Sequence, residues 1–185
     1  MFIIGVTGLP GSGKDFVADM LVDKHGFYKI APGDIIRRIL KEELGDSFSR
    51  SDQQKWQAEK RSVYGESYVM QLCYDEMLKS GKSKIVLAGT RPPSDLEFYR
   101  KLVGGNFKNV YVDAPAGTRY SRLMDRKRMD APKSFEEFLK EDENEEKLFS
   151  IKKTKELSDF ILLNDSSAEA LEKKLDDILT HIKIS

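Results

Sequence analysis

Cysteine is nearly missing from this sequence. Cys73 stands alone among 185 residues, so no internal disulfide can form and a cysteine-based metal site is excluded. Net charge is missing too: 31 Lys and Arg balance 31 Asp and Glu. A neutral chain with pI near 6.8 lacks the basic field of a general nucleic-acid binder, and no broad nucleic-acid binding is expected. No window approaches the roughly 18 apolar residues of a membrane span. Met1 to Val6 reaches Gly8 too soon for a secretory signal. These absences, with a lone thiol suited to a reducing compartment, predict a cytoplasmic protein with no membrane partner. Internal repeats, low-complexity tracts and Gly/Ser linkers are lacking as well. What is present is 39% hydrophobic and 10% aromatic residues, enough for one core and too much for a disordered chain. The length fits a single domain over 1–185.

Short apolar runs at Phe2–Val6, Phe27–Ile30, Ile85–Ala88, Asn109–Val112 and Phe160–Leu163 read as strands. Between them lie stretches of helical spacing, such as Leu171, Leu175, Ile178, Leu179 and Ile182. Helix starts of the Ser-x-x-Glu/Gln kind are expected at Ser51 with Gln54, Ser94 with Glu97, Ser134 with Glu137, and Ser166 with Glu169. Strands alternating with helices predict an α/β fold, a parallel sheet covered on both faces. Residues 34–81, between the second and third strands, read as a long helical region. It is either a substrate-covering subdomain or a helical crossover.

The strongest motif is Gly8-Leu9-Pro10-Gly11-Ser12-Gly13-Lys14-Asp15, which follows the first strand and leads into Phe16, Val17, Met20 and Leu21 on one helix face. Glycines let consecutive amides curl around an anion. The helix N-terminus adds partial positive charge, and Lys14 reaches the outer phosphates of a nucleotide. Asp15 stands where this motif usually has the Ser or Thr that touches magnesium. A carboxylate there coordinates Mg²⁺ directly or through water, or repels phosphate when no metal is bound. Nucleotide binding is therefore expected to depend on metal.

Further segments carry cations. Gly33-Asp34-Ile35-Ile36-Arg37 can start a helix with Arg37 in its first turn, and Gly89-Thr90-Arg91 ends a strand where α/β proteins put ligands. Arginine suits bidentate phosphate recognition. Beyond Val112-Asp113-Ala114-Pro115, the arginines 119, 122 and 126 recur at helical spacing and predict a basic stripe, followed by Arg128 and Lys133. Asn164-Asp165-Ser166-Ser167 reads as a helix-capping turn. His25, His181, Trp56 and Cys73 read as structural residues.

In this order the segments resemble the P-loop nucleoside-monophosphate-kinase group, which includes adenylate kinase and dephospho-CoA kinase, and within it an archaeal-type set of adenylate-kinase-related proteins. The resemblance covers nearly the whole chain, and the phosphate loop is its most specific part. It implies a three-layer P-loop NTPase fold on a five-stranded parallel sheet, with an acceptor-binding helical region near 34–81 and a short lid near 126–147. It implies ATP and Mg²⁺, held by Gly8, Gly11, Ser12, Gly13, Lys14, Asp15 and Phe16. Arg122 would stack on adenine, Asn164 would lie against its edge, and Arg126 would neutralise the transferring phosphoryl group. Arg37 and Arg91, with Asp34, would hold the phosphate of a small phosphorylated acceptor. Lys14, Arg37, Arg91 and Arg126 are thus the implied catalytic set.

Two features depart from the group. Ala88 replaces a strand-end Asp, which Asp15 would compensate, and residues 136–146 are mostly acidic where relatives often carry arginine. That acid reads either as a face paired with the basic stripe or as the loss of a transition-state cation. The implied activity is a small-molecule kinase acting on a nucleoside or deoxynucleoside monophosphate. Phosphorylated mevalonate is an alternative acceptor, because Asp15 and Thr90-Arg91 with Ser94-Asp95 are similar to phosphomevalonate kinases, and dephospho-CoA is another. An ATP-binding switch with weak turnover is the reading from another class. A GTPase is disfavoured by the lack of an Asn-Lys-x-Asp motif.

Overall fold

The computed structural model describes residues 1–125 and 132–182; Arg126 and Arg128 lie outside them. Along the chain run β1 (Phe2–Thr7), α1 (Lys14–His25), β2 (Tyr28–Ile30), α2 (Pro32–Leu44), α3 (Arg50–Tyr64), α4 (Tyr68–Ser80), β3 (Lys84–Thr90), α5 (Pro93–Val103), β4 (Phe107–Asp113), α6 (Ala116–Asp125), α7 (Phe135–Phe149), α8 (Ile151–Glu156), β5 (Phe160–Leu163) and α9 (Ala168–His181). The strands form one sheet in the order β2-β3-β1-β4-β5, each neighbouring pair parallel. Every return between strands passes through at least one helix, as parallel pairing requires. All five strands lie where the apolar runs predict them, within a residue or two at each end.

Burial on two faces explains why β1 reads as a continuous apolar run. Phe2, Ile4 and Val6 face α1 and α9, against Val17, Leu21, Leu171 and Leu175. Ile3, with Ile85 and Leu87 of β3, faces the other way, against Ile36, Leu40, Met70, Met77 and Leu96. Each such buried aliphatic contributes about 1.5–3 kcal/mol, so the ends of β1 and β3 are held by both layers at once. Residues 34–81 form the rest of α2, then α3 and α4, with Trp56 and Cys73 buried among them.

Helix starts differ from the sequence expectation at three of four places. Ser134 accepts from the Glu137 amide as expected. Helix α3 begins at Arg50, so its cap is Ser49 in a box with Asp52, two residues earlier than Ser51 with Gln54. Ser167 rather than Ser166 caps α9, through the Ala170 amide. Pro92 opens α5, and Ser94 makes no cap. Prolines also shift α2: it starts at Pro32, so Asp34 is in the first turn and Arg37 in the second.

Candidate active site

The loops after β1, β3, β4 and β5 all leave the C-terminal edge of the sheet, where open α/β sheets take ligands. In the first, Gly11 and Gly13 have φ of 79° and 92°, the left-handed region that favours glycine. A Cβ on Gly13 would also run into the Asn164 amide, and one on Gly11 would lie 2.6 Å from the Arg119 carbonyl oxygen. The loop is therefore seated directly on its supports. Asn164 Nδ2 donates to the Ser12 carbonyl over 2.7 Å. Arg122 donates to the same oxygen over 3.4 Å and to Asn164 Oδ1 over 3.1 Å. Arg119 Nη1 donates to the Pro10 carbonyl over 3.3 Å. Two carbonyls that would repel an anion are thus engaged from outside.

Helix α1 then starts at Lys14 with no side chain capping its first amides. An uncapped helix start beside a lysine is suited to bind an anion. Asp15 lies in the first turn, its carboxylate 4.0 Å from Lys14 Nζ and half exposed. Among the described residues no group of three or more His, Cys, Asp or Glu is placed to hold a metal ion. Beside the loop is a cavity of about 290 Å³, walled by Phe16, Ala168 and Leu171 on its apolar side and by Arg122, Asp125, Asn164 and Ser166 on its polar side.

The expected basic stripe is not a solvated face. Arg119 is only 5% exposed. It is paired with Asp142, donates Nε to the Ala114 carbonyl, and lies 4.9 Å from the Phe138 ring centroid. Arg122 points to Asn164 and the loop. The third member, Arg126, lies outside the described residues. Asn164, expected against a base edge, has both ends of its side-chain amide committed to Ser12 and Arg122.

At the neighbouring strand end, the β1–β3 ladder skips Gly89, whose φ is 97°, and sets Thr90 opposite Thr7. The two hydroxyls are hydrogen-bonded, and Thr7 donates to Asn109 Oδ1 over 3.1 Å. Asn109 in turn donates to Ser158 Oγ over 2.8 Å. Arg91 follows Thr90 and is fixed at each of its parts. Its amide donates to Asp95 over 3.1 Å, its carbonyl accepts from Thr154 over 2.7 Å, and Nη1 is 3.0 Å from both oxygens of Glu145. Asp95 is 3% exposed. Burial pushes its carboxyl up to about 6, although the Arg91 amide and the charges of Arg61 and Arg91 pull the other way. Arg37 is exposed and paired with Asp34 on its own helix, folded back over Gly33.

Asp95, Asp142, Glu145 and Thr154 gain site roles that sequence reasoning did not give them. The positions 138, 142, 145 and 149 share one helical stripe, a signal legible in the sequence. Which arginines that stripe would meet was not legible, because Arg91 and Arg119 come from other elements.

A family model described as "AAA domain" matches residues 4–149. A UPF0200 protein of Sulfurisphaera tokodaii is 34% identical over 181 residues, 97% of each chain. Among solved structures, shikimate kinase from Acinetobacter baumannii in complex with shikimate superposes with a TM-score of 0.59 at 18% identity, covering 100% of this chain and 96% of that one. Dephospho-CoA kinase from Campylobacter jejuni does so with 0.56 at 16% identity, covering 97% and 96%. At these identities the two structures speak for the fold alone. Together with the glycine loop at the end of β1, these matches place the chain in the UPF0200 family of AAA-domain P-loop proteins, with a fold of the nucleoside-monophosphate-kinase type.

Proposed function

We propose that the chain is an ATP-dependent phosphotransferase that moves the γ-phosphate of Mg-ATP to a small phosphorylated acceptor, a nucleoside or deoxynucleoside monophosphate. One observation carries this reading: the glycine loop, with the uncapped helix start at Lys14, and the loop bearing Arg91 leave adjacent strands, with Thr7 and Thr90 paired across the register shift at Gly89. Two anion-directed loops side by side suit two phosphorylated substrates.

In this reading residues 1–185 act as one kinase domain, with residues 34–81 serving the acceptor and 126–147 the lid. The loop amides and Lys14 hold the outer phosphates of ATP. The Arg122 guanidinium and Phe16 line the cavity that takes the base, and Ser166, whose neighbour Asn164 is committed to the loop, is the hydroxyl nearest in sequence for its edge. Asp15 would hold Mg²⁺ directly or through water, and the ion would supply charge neutralisation to the phosphates. Arg91, with Arg37 released from Asp34, grips the acceptor's phosphate. An oxygen of the acceptor forms the new bond to the γ-phosphorus as the bond to the ADP oxygen breaks, and Arg126 is the lid cation that neutralises the moving group. Positioning and charge neutralisation supply most of the acceleration in such transfers.

Asp15 and the Thr90-Arg91, Ser94-Asp95 segment support a phosphorylated mevalonate as the second acceptor class. The test is ADP formation from Mg-ATP with nucleoside monophosphates, phosphorylated mevalonates and dephospho-CoA in parallel, each with and without Mg²⁺. ADP stimulated by one acceptor class and dependent on Mg²⁺ is expected. ADP released at one rate whatever the acceptor would instead identify an ATP-driven switch.

A further inference from the structure

Helix α7 grips two arginines with one stripe. Arg119 receives the Asp142 carboxylate and the Phe138 ring, 4.9 Å away. Arg91 receives the Glu145 carboxylate and the Phe149 ring, 5.1 Å away. The grips differ in what they leave open. Asp142 spans both Nη1 and Nη2 of Arg119, and Nε is bonded to the Ala114 carbonyl, so that guanidinium is fully engaged. Glu145 sets both oxygens on Nη1 of Arg91, and among the described residues no hydrogen bond takes Nε or Nη2. The Arg91 side chain is 38% exposed, Glu145 only 15%. A guanidinium held at one corner and one face, with its Nε–Nη2 edge open, is prepared for a second anion bound bidentately.

We propose that Glu145 is a positioning residue: with Phe149 it fixes Arg91 so that the open edge receives the acceptor's phosphate, while the Asp142–Arg119 pair ties the same helix to the phosphate loop. This rests on the reading that Arg91 binds that phosphate. Helix α7 then brackets both substrate sites, and its acid is not a lost cation but the support of two others. Glu145 and a bound phosphate would stand on different edges of the guanidinium at a partly exposed place, where screening weakens their repulsion. The loss of a held bidentate geometry is the larger effect.

The test uses full-length protein with ¹⁵N-labelled arginine, its loop filled with ADP, titrated with inorganic phosphate and followed at the Arg91 Nε–H resonance. In the wild type that resonance shifts saturably. In Glu145→Leu the guanidinium is left with the Phe149 ring alone, its Nε–H resonance reports more motion, and phosphate binds about tenfold more weakly. Glu145→Asp restores part of both, and ADP affinity stays unchanged throughout as the sign of an intact fold. Phosphate binding that is equal or tighter in Glu145→Leu would make Glu145 a competitor of phosphate and overturn the proposal, as would a wild-type Arg91 that ignores phosphate. Failure of the kinase reading is read separately, from the acceptor panel.

Discussion

The two ends of the site are built in opposite ways. The nucleotide end is one contiguous segment, residues 8–15, seated on Asn164, Arg122 and Arg119 by bonds to its own carbonyls. The proposed acceptor end is assembled around Arg91 from distant elements: Glu145 and Phe149 on α7, Thr154 on α8 and Asp95 on α5, whereas Arg37 on α2 is paired with Asp34 of its own helix. The first is closed onto its scaffold by glycine conformations that no other residue adopts easily. The second keeps an exposed arginine on α2 and an open guanidinium edge on Arg91. A site that must hold the same triphosphate every time can be rigid, whereas one that admits and releases an acceptor needs cations left partly uncommitted.

The sharpest way to break this contrast is at Arg119. Arg119→Met leaves Asp142 largely buried without its partner and removes the bond to Pro10, so a stability loss of about 3–5 kcal/mol is expected, with weaker ADP binding. Adding Asp142→Leu should recover most of the stability but not the ADP affinity. Recovery of both would show that the phosphate loop does not depend on Arg119. A smaller effect is expected at the acceptor end, from Asp95. Its folded carboxyl titrates near 6, against about 3.9 when unfolded. Between those values the folded chain holds a proton that the unfolded chain has released. Stability therefore falls as pH rises through about 4 to 6, and the cost is complete above about pH 6. Denaturant unfolding of wild type and Asp95→Asn should show this slope in the wild type only, worth about 1–3 kcal/mol between pH 4 and pH 8. Equal slopes would mean that Asp95 is not desolvated as its place between α4 and the Arg91 loop requires.

The same contrast explains what the sequence showed in advance. The phosphate loop was legible because its chemistry is local: glycines, lysine and helix start follow one another, and the strand before them is apolar on both faces. The five strands were legible for the same reason. Arg91 was legible as a cation at a strand end, but its partners were not, since nothing in residues 142–149 announces which arginine they meet. Arg119 shows the limit most clearly. Its spacing with Arg122 matches a solvated stripe, yet α7 packs over it, and a tertiary contact turned a surface cation into a buried strut. Ser94 failed as a cap because Pro92 opens α5, and the Asp95 carboxylate accepts the Arg91 amide.

In the proposed reaction Arg91 serves the acceptor and not ATP. Steady-state ADP formation by wild type and Arg91→Ala, with Mg-ATP and the stimulating acceptor varied in turn, tests it directly. The acceptor KM is expected to rise at least about tenfold in Arg91→Ala while the ATP KM stays within about twofold. An equal rise in both, or an unchanged acceptor KM, would contradict it.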